Sequence, residues 1–444
     1  MDTPVSHRVT AAARLDRLPI TAFHRHILWL LGFCFFFELG DINTFAFAAP
    51  AIRMQWGISI TQISYITGAT FFGMFAGATL GGRFSDMVGR KRALIVTMLW
   101  FSAASLLNAV AWEPIGLFVA RLLTGVGLSA MTAVGITYVA EMFPANKRGT
   151  YQGWVLFIGL VGIPAAAFVA YLVVPVASWG WRLIFIWGSL GAIFPLLAAK
   201  LEESPRWYEK RGRFAEADAA LDRIEASVMR ETKTLPPVET RAHVTPKEGH
   251  FRELFETGAR GRTAMFVVVW IFQTLGFYGF SAWVPTLLVE QGFELVEALG
   301  WATMMQFGGL LGASIAASLS DRWERKYWLT IAPVLIATCG VLYGLTFNGL
   351  LIGIFGFLVI MFIQCFAPML YAYTGECFPT ELRSSGTGFT YGIGRLSNAF
   401  SPMFIPFLYN SYGYLSVFVY IATCWLVVSL TIGLFGPRTR GRQL

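Results

Sequence analysis

The chain has 444 residues, of which 56% are hydrophobic and only 14% charged, with a mean hydropathy of +0.59. A soluble chain carries about 25% charged residues, so a soluble enzyme, a disordered chain and a disulfide-stapled scaffold are excluded. The formal charge of +8 raises nucleic acid as a partner, and the placement of the charges argues against it.

The first 26 residues are polar and carry Arg8, Arg14, Arg17 and Arg25. No short apolar stretch with a small-residue cleavage site precedes the first long span, so no cleavable signal is expected. A membrane-crossing helix needs about 20 mostly apolar residues. Six such spans follow, over 27–50, 61–82, 93–112, 116–141, 151–174 and 181–200. Residues 201–262 form a long hydrophilic linker. Within it Phe214, Ala217, Leu221 and Ile224 recur at helical spacing among charged residues. That pattern predicts an amphipathic cytoplasmic helix, in a linker otherwise read as a solvated tether, flexible over 231–250. Six more spans run over 263–288, 299–320, 328–347, 350–375, 386–409 and 413–436, before a polar tail at 437–444. The fold class is an all-α polytopic membrane protein, with twelve transmembrane helices in two pseudo-symmetric bundles, 27–200 and 263–436.

All but four of the 34 Lys and Arg fall before span 1, in the linker, in the 2–3, 4–5, 8–9 and 10–11 loops, or in the tail; the exceptions are Arg53, Arg121, Arg182 and Arg395. Basic loops stay inside, so both termini and the linker are cytoplasmic, in a multi-pass protein of the inner (plasma) membrane. The five cysteines lie in or at the end of apolar runs without ligand spacing and read as buried hydrophobes. No phosphate-cradling loop ending in Lys-Ser/Thr and no HExxH occurs. The chain reads as no enzyme, with no cofactor and no metal, and as a monomer.

The cytoplasmic loops repeat. Gly82 to Arg92, with Asp86 and Gly89, is echoed by Ser318 to Lys326, with Asp321 and Arg325. Glu141-Met-Phe-Pro144 and Arg148 are echoed by Glu376-Cys-Phe-Pro379 and Arg383. Such a repeat implies two related halves that rock about a site near the midplane. Inter-helix ion pairs are expected at these loops, Asp86 with Arg148 and Glu141, and Asp321 with Arg383 and Glu376, holding one gating state and breaking in the other. Arg90 belongs to the same cluster.

On these loops the chain resembles the major facilitator superfamily over essentially its whole length. Met87 stands where a basic residue is usual, and Glu324 replaces the glycine of the second copy. Glu202-Glu-Ser-Pro205-Arg206-Trp207 resembles the sugar-porter-like branch. Tyr371 to Thr380 and the Gly394-Arg395 pair are similar to bacterial metabolite:proton symporters, the niacin permeases and organic-anion transporter relatives among them.

A charge at the bilayer centre costs at least about 2.5–3.5 kcal/mol, so it is functional by default. Four residues qualify, Glu38, Asp41, Arg121 and Arg395. If spans 1 and 4 pack, Asp41 can alternate between an ion pair with Arg121 and a protonated form. The resemblance implies the same switch, with Glu38-x-x-Asp41 similar to the acidic pair of aromatic-acid symporters. Niacin permeases carry an acid at the place of Met131. Arg395 has no acid at its depth in spans 7–12, so its natural counter-ion is a substrate carboxylate. Gln273, Phe277 and Tyr278 in span 7, Gln306 in span 8 and Gln364 in span 10 are candidate substrate contacts. Tyr278 stands where sugar porters carry Asn, which favours a flat or aromatic substrate. The expected function is proton-coupled symport of a small aromatic or heterocyclic monocarboxylate. The rival readings are a proton-driven exporter of amphipathic compounds and a transporter-like sensor that does not cycle.

Overall fold

The computed structural model describes residues 9–238, 251–256, 258–319, 324–379 and 381–439. The first six long helices are α1 (Ala22–Trp56), α2 (Ile60–Val88), α3 (Arg90–Val110), α4 (Pro114–Met142), α5 (Ala145–Val176) and α6 (Trp181–Lys200). The second six are α7 (Arg260–Ser281), α8 (Leu295–Leu319), α9 (Arg325–Leu345), α10 (Gly349–Cys377), α11 (Arg383–Tyr412) and α12 (Tyr414–Phe435). Eleven of these are long and apolar enough to cross a membrane. The exception is α11, 30 residues long, which carries Arg395 and many glycine, serine and tyrosine residues. Its polar content suits a helix that faces a cavity rather than lipid.

Three spans expected to be continuous are broken, α5, α6 and α7, with α6 interrupted by 3₁₀ turns at Leu190–Ile193 and Ala198–Lys200. α5 runs as Ala145–Leu160 and Gly162–Val173 before a short 3₁₀ turn, so it begins six residues before the expected 151. The α7 span stops at Ser281 and resumes as Val284–Glu290. The breaks in α5 and α7 each lie four residues before a proline, Pro164 or Pro285. Proline has no N–H for the carbonyl four residues back, and its ring crowds that carbonyl. The broken ends of both helices lie near α1, whose backbone comes so close to Gly162 that a Cβ there would lie 1.9 Å from the Phe36 carbonyl oxygen.

The repeat seen in the loops extends to the packing. In each half the second helix lies along the fourth, α2 on α4 and α8 on α10. A Cβ at Gly77 would lie 2.2 Å from the Val126 carbonyl oxygen, and one at Gly312 would lie 2.0 Å from that of Met361. Small residues allow backbones to approach in a medium where van der Waals contact, not water exclusion, holds helices together.

The linker is more than a tether. Its helix, Phe214–Thr232, buries Leu221, Ile224 and Val228 against the N-terminal half, together with Leu15 and Leu18. Arg14 and Arg17 both reach Glu225, at 2.8 Å, and Arg14 also reaches Asp222 at 2.7 Å. Burial opposes ionisation of Glu225, but the hydrogen bonds from the two arginines outweigh it and hold its carboxyl below the usual range. Residues 239–250, most of the expected flexible stretch, lie outside the described residues.

The glycine contacts give a direct test. Gly77→Val or Gly312→Val forces a side chain into a neighbouring backbone and should destabilise the protein by about 1–3 kcal/mol or more. The expected result is a lower melting temperature and less monodisperse protein in detergent. An unchanged melting curve for both variants would contradict the packing described.

Candidate functional site

Helices α1 and α4 do pack. Arg121 Nη1 lies 3.0 Å from Asp41 Oδ2, and both side chains are almost wholly buried (1% and 0% exposed). Arg121 Nε donates to Thr70 Oγ1 at 3.0 Å. The other Asp41 oxygen lies 3.3 Å from the hydroxyls of Thr44 and Ser105. A buried ion pair survives only when its remaining polar atoms are satisfied, and here hydroxyls from α1, α2 and α3 do that.

Glu38 is less well provided. It is 3% exposed, its Oε1 accepts from Thr132 at 2.8 Å, and its buried Oε2 has no partner. Arg395, on α11, donates through Nε to Tyr391 one turn earlier at 2.6 Å, with its guanidinium 5.0 Å from that ring's centre. Arg395 Nη1 is buried and unpartnered, and no described carboxylate forms an ion pair with it. The Tyr391 ring in turn packs on Trp270 and Tyr371, at 5.1 and 5.5 Å. The guanidinium therefore rests on neutral aromatic residues, which attract a cation without cancelling its charge.

A narrow cavity opens between the halves, lined by Asn43 of α1, Leu160 and Ile163 of α5, Phe277 and Ser281 of α7, Gln306 and Gly309 of α8, and Ile360, Ile363 and Gln364 of α10. Three of the expected substrate contacts, Phe277, Gln306 and Gln364, meet there. Gln273 does not line it. That side chain is buried, with its amide oxygen 3.3 Å from Thr274 Oγ1. Tyr278 packs instead on Phe71 of α2, ring to ring at 4.7 Å. Sequence reasoning missed Asn43 and Ser281 in the lining, and the hydroxyl partners Thr132 and Ser105. Asn43 sits two residues after Asp41, and Tyr391 one turn before Arg395, spacings that carried the only available signal.

At the cytoplasmic face the expected pairing needs correction. Arg148 does not meet Asp86. It lies 3.9 Å from Asp16 of the N-terminal segment, which Arg206 approaches at 3.0 Å. Arg90 takes both acids instead, Asp86 at 2.8 Å and Glu141 at 2.8 Å. Asp86 is half exposed, so that contact contributes about 0–1 kcal/mol, while Arg90 is buried and binds Glu141 through two nitrogens. In the second half Arg325, not Arg383, pairs with Glu376. Arg383 is exposed, and Asp321 lies outside the described residues. Both Arg–Glu pairs join residues 51 apart. Tyr138 donates to the Glu202 carbonyl and Tyr373 to that of Pro437, each across 64 residues.

The two loops are capped in opposite senses. Glu203 accepts from the backbone N–H groups of Arg90 and Lys91, at 2.7 and 3.1 Å, where a carboxylate complements the α3 dipole. Gly89 gives it room, since a Cβ there would lie 2.4 Å from Glu203 Oε2. In the second half the acid sits in the loop itself, and Glu324 accepts from Thr439 N–H of the tail at 3.1 Å. The glycine-to-glutamate departure thus exchanges the two partners of one contact.

The halves meet at the outer side and the midplane. Arg53 at the outer end of α1 forms an ion pair with Glu290 beyond α7, and Thr303 of α8 donates to the Ala167 carbonyl of α5 at 3.0 Å. α2 packs on α11, with the Phe72 and Phe400 rings 5.5 Å apart. Among the described residues no hydrogen bond or ion pair joins the halves at their cytoplasmic ends. The described contacts between the halves thus lie at their outer ends and midplane.

Two six-helix halves meeting around a small cavity have the build of a membrane transporter. Residues 21–444 match the sugar (and other) transporter family, and the chain belongs to that family, within the major facilitator superfamily. It is 44% identical to a putative metabolite transport protein of Bacillus subtilis, over 98% of this chain and 97% of that one. It is 29% identical to the niacin transporter of Acinetobacter baylyi, over 97% and 98% of the two chains. The gallate transporter of Pseudomonas putida is also 29% identical, over 90% and 89%. Among solved structures, the partially occluded inward-open xylose transporter XylE from E. coli superposes with a TM-score of 0.77 at 17% identity, covering 96% of this chain and all of that one. The protein is a multi-pass protein of the plasma membrane, as is an inner membrane metabolite transport protein of Escherichia coli that is 29% identical over 96% of both chains.

The cross-half pair predicts a gating phenotype. Glu290→Gln should loosen the outer closure and raise the outward-facing population, and combining Arg53→Glu with Glu290→Arg should restore the balance. Labelling of single cysteines in the outer vestibule from the outside reads the shift. Accessibility unchanged in the single variant would remove this pair from the gate.

Proposed function

We propose that this protein imports a small aromatic or heterocyclic monocarboxylate together with protons, by alternating access. The observation that carries this reading is Arg395, a guanidinium held by the hydroxyl and the ring face of Tyr391, with one buried nitrogen unpartnered and no carboxylate of its own. A charge so placed calls for an anion, and the planar fork of arginine suits a carboxylate. The cavity between the halves is narrow and lined mainly by apolar side chains, with the amides of Gln306 and Gln364 and one aromatic ring, Phe277. Such a lining suits a flat ring with few polar groups better than a sugar ringed with hydroxyls. Niacin and gallate, named for two of the relatives, are ring carboxylates.

The proton is carried by the α1 acids, Glu38 and Asp41, with Arg121 as the cation that steadies the site. The cytoplasmic residues Asp86, Arg90, Glu141 and Arg148 in the first half, and Asp321, Glu376 and Arg383 in the second, act in gating, with Arg325 added to them. Gln273 and Tyr278 support the substrate site from α7.

Binding calorimetry with matched pairs tests the anion reading. Nicotinate and benzoate should bind better than nicotinamide and benzamide. Arg395→Ala should cost about 2–5 kcal/mol of carboxylate affinity if the pair is fully desolvated, and Arg395→Lys should cost less but still weaken binding, since the charge is kept and the fork is lost. Equal affinity for both members of every pair would overturn the organic-anion reading.

A further inference from the structure

The outer end of the seam between the halves holds a second pocket, whose lining shares no residue with the midplane cavity. One wall is the last turns of α1, where Pro50, Arg53 and Met54 fall at helical spacing on one face, with Ile58 just beyond the helix. The other wall is the short helix Val284–Glu290 that follows the break in α7, where Thr286, Val289 and Glu290 likewise share a face. The pocket measures about 300 Å³, at the lower end of the range for small-molecule sites. The midplane cavity measures about 20 Å³, room for about one water.

Three polar side chains line the outer pocket. Arg53 donates through Nε to the Ile58 carbonyl at 3.1 Å and forms its ion pair with Glu290 through Nη1, while Nη2 makes no hydrogen bond among the described residues. Glu290 is 22% exposed. Thr286 is buried, and its Oγ1 has no partner. A buried threonine in a helix ordinarily donates to the carbonyl four residues back, as Thr124 and Thr374 do. For Thr286 that residue is Ala282, which lies in the break between Ser281 and Val284. The break therefore leaves the hydroxyl orphaned at the wall of the pocket, at a standing cost that a ligand acceptor would remove.

We propose that this pocket is an external binding site for a small organic anion with an apolar ring. The two groups short of an acceptor, Arg53 Nη2 and the Thr286 hydroxyl, are both donors, which selects an anion over a cation. The remaining wall, Pro50, Met54, Ile58 and Val289, is apolar and suits a ring rather than a small hydrated ion. The carboxylate takes the Arg53 fork and, after a turn of the Thr286 side chain about χ1, its hydroxyl. In doing so it displaces Glu290, which is already partly exposed and turns to water. Arg53 belongs to the first half and Glu290 to the second, so the bound anion replaces a contact between the halves by one that can leave. The site requires nothing of Arg395.

The five native cysteines are buried and Met54 is 67% exposed, so a single reporter cysteine can be placed at the rim. The test uses full-length Met54→Cys protein in right-side-out membrane vesicles, labelled from outside with a membrane-impermeant maleimide. Benzoate and nicotinate should slow the labelling in a saturable way, and benzamide should not. Protection should persist when Arg395→Ala is added. Thr286→Val should raise the benzoate concentration needed about tenfold, and Thr286→Ser, which keeps the hydroxyl, should leave it unchanged, excluding misfolding as the cause. Glu290→Gln removes the competing carboxylate and should lower that concentration. Loss of protection with Arg395→Ala would assign the effect to the midplane site and overturn the inference, as would equal protection by benzamide or undiminished protection in Thr286→Val. Absence of protection in every background would also overturn it, while the anion reading at Arg395 would stand or fall on its own calorimetric test.

Discussion

Charge buried in a medium that cannot solvate it is the constraint on which this structure depends. A lone charge at the centre of the bilayer costs several kcal/mol, and each of the four here is answered differently. Asp41 and Arg121 answer each other at 3.0 Å, with hydroxyls of Thr44, Thr70 and Ser105 around them. Glu38 has one hydroxyl and one empty oxygen. Arg395 has the Tyr391 hydroxyl and ring in place of an acid. The first pair is complete, and the other two residues are each half satisfied. Incomplete sites of this kind are where binding energy is available, because a ligand that completes them removes a standing penalty.

The surrounding fold makes that completion compatible with movement. Within each half the helices are locked by close backbone contact at Gly77 and Gly312 and by the Arg90–Glu141 and Arg325–Glu376 pairs. Between the halves the contacts are fewer and lie at the outer side and midplane: Arg53 with Glu290, Thr303 with Ala167, Phe71 with Tyr278. Rigid halves joined by a thin seam are suited to rocking.

Much of this was legible in the chain. Apolar length and loop charge are direct consequences of the bilayer, and they gave the spans and their orientation. The four buried charges stood out because the membrane makes them rare. What could not be read was partner choice. Asp86, Glu141, Arg90 and Arg148 are all within reach of one another in sequence terms, and only the three-dimensional course of the N-terminal segment, which brings Asp16 to Arg148 and Arg206, leaves Arg90 to hold both acids. The breaks at Leu160 and Ser281 were signalled by Pro164 and Pro285, but a proline in a membrane helix is often tolerated, so its presence alone did not fix a break. Gln273 and Gln364 looked alike in sequence, and only the rotation of α7 and α10 puts Gln364 in the cavity lining and leaves Gln273 out of it.

The central claim is that an anionic substrate completes the charge balance at Arg395. The most direct measurement is an experimental structure of the protein with saturating benzoate. The account predicts the carboxylate within about 3 Å of the Arg395 nitrogens in the two-pronged geometry of such pairs, with the ring beside Phe277 in the cavity between the halves. A benzoate seated away from Arg395, with the guanidinium still resting on Tyr391 alone, would contradict it.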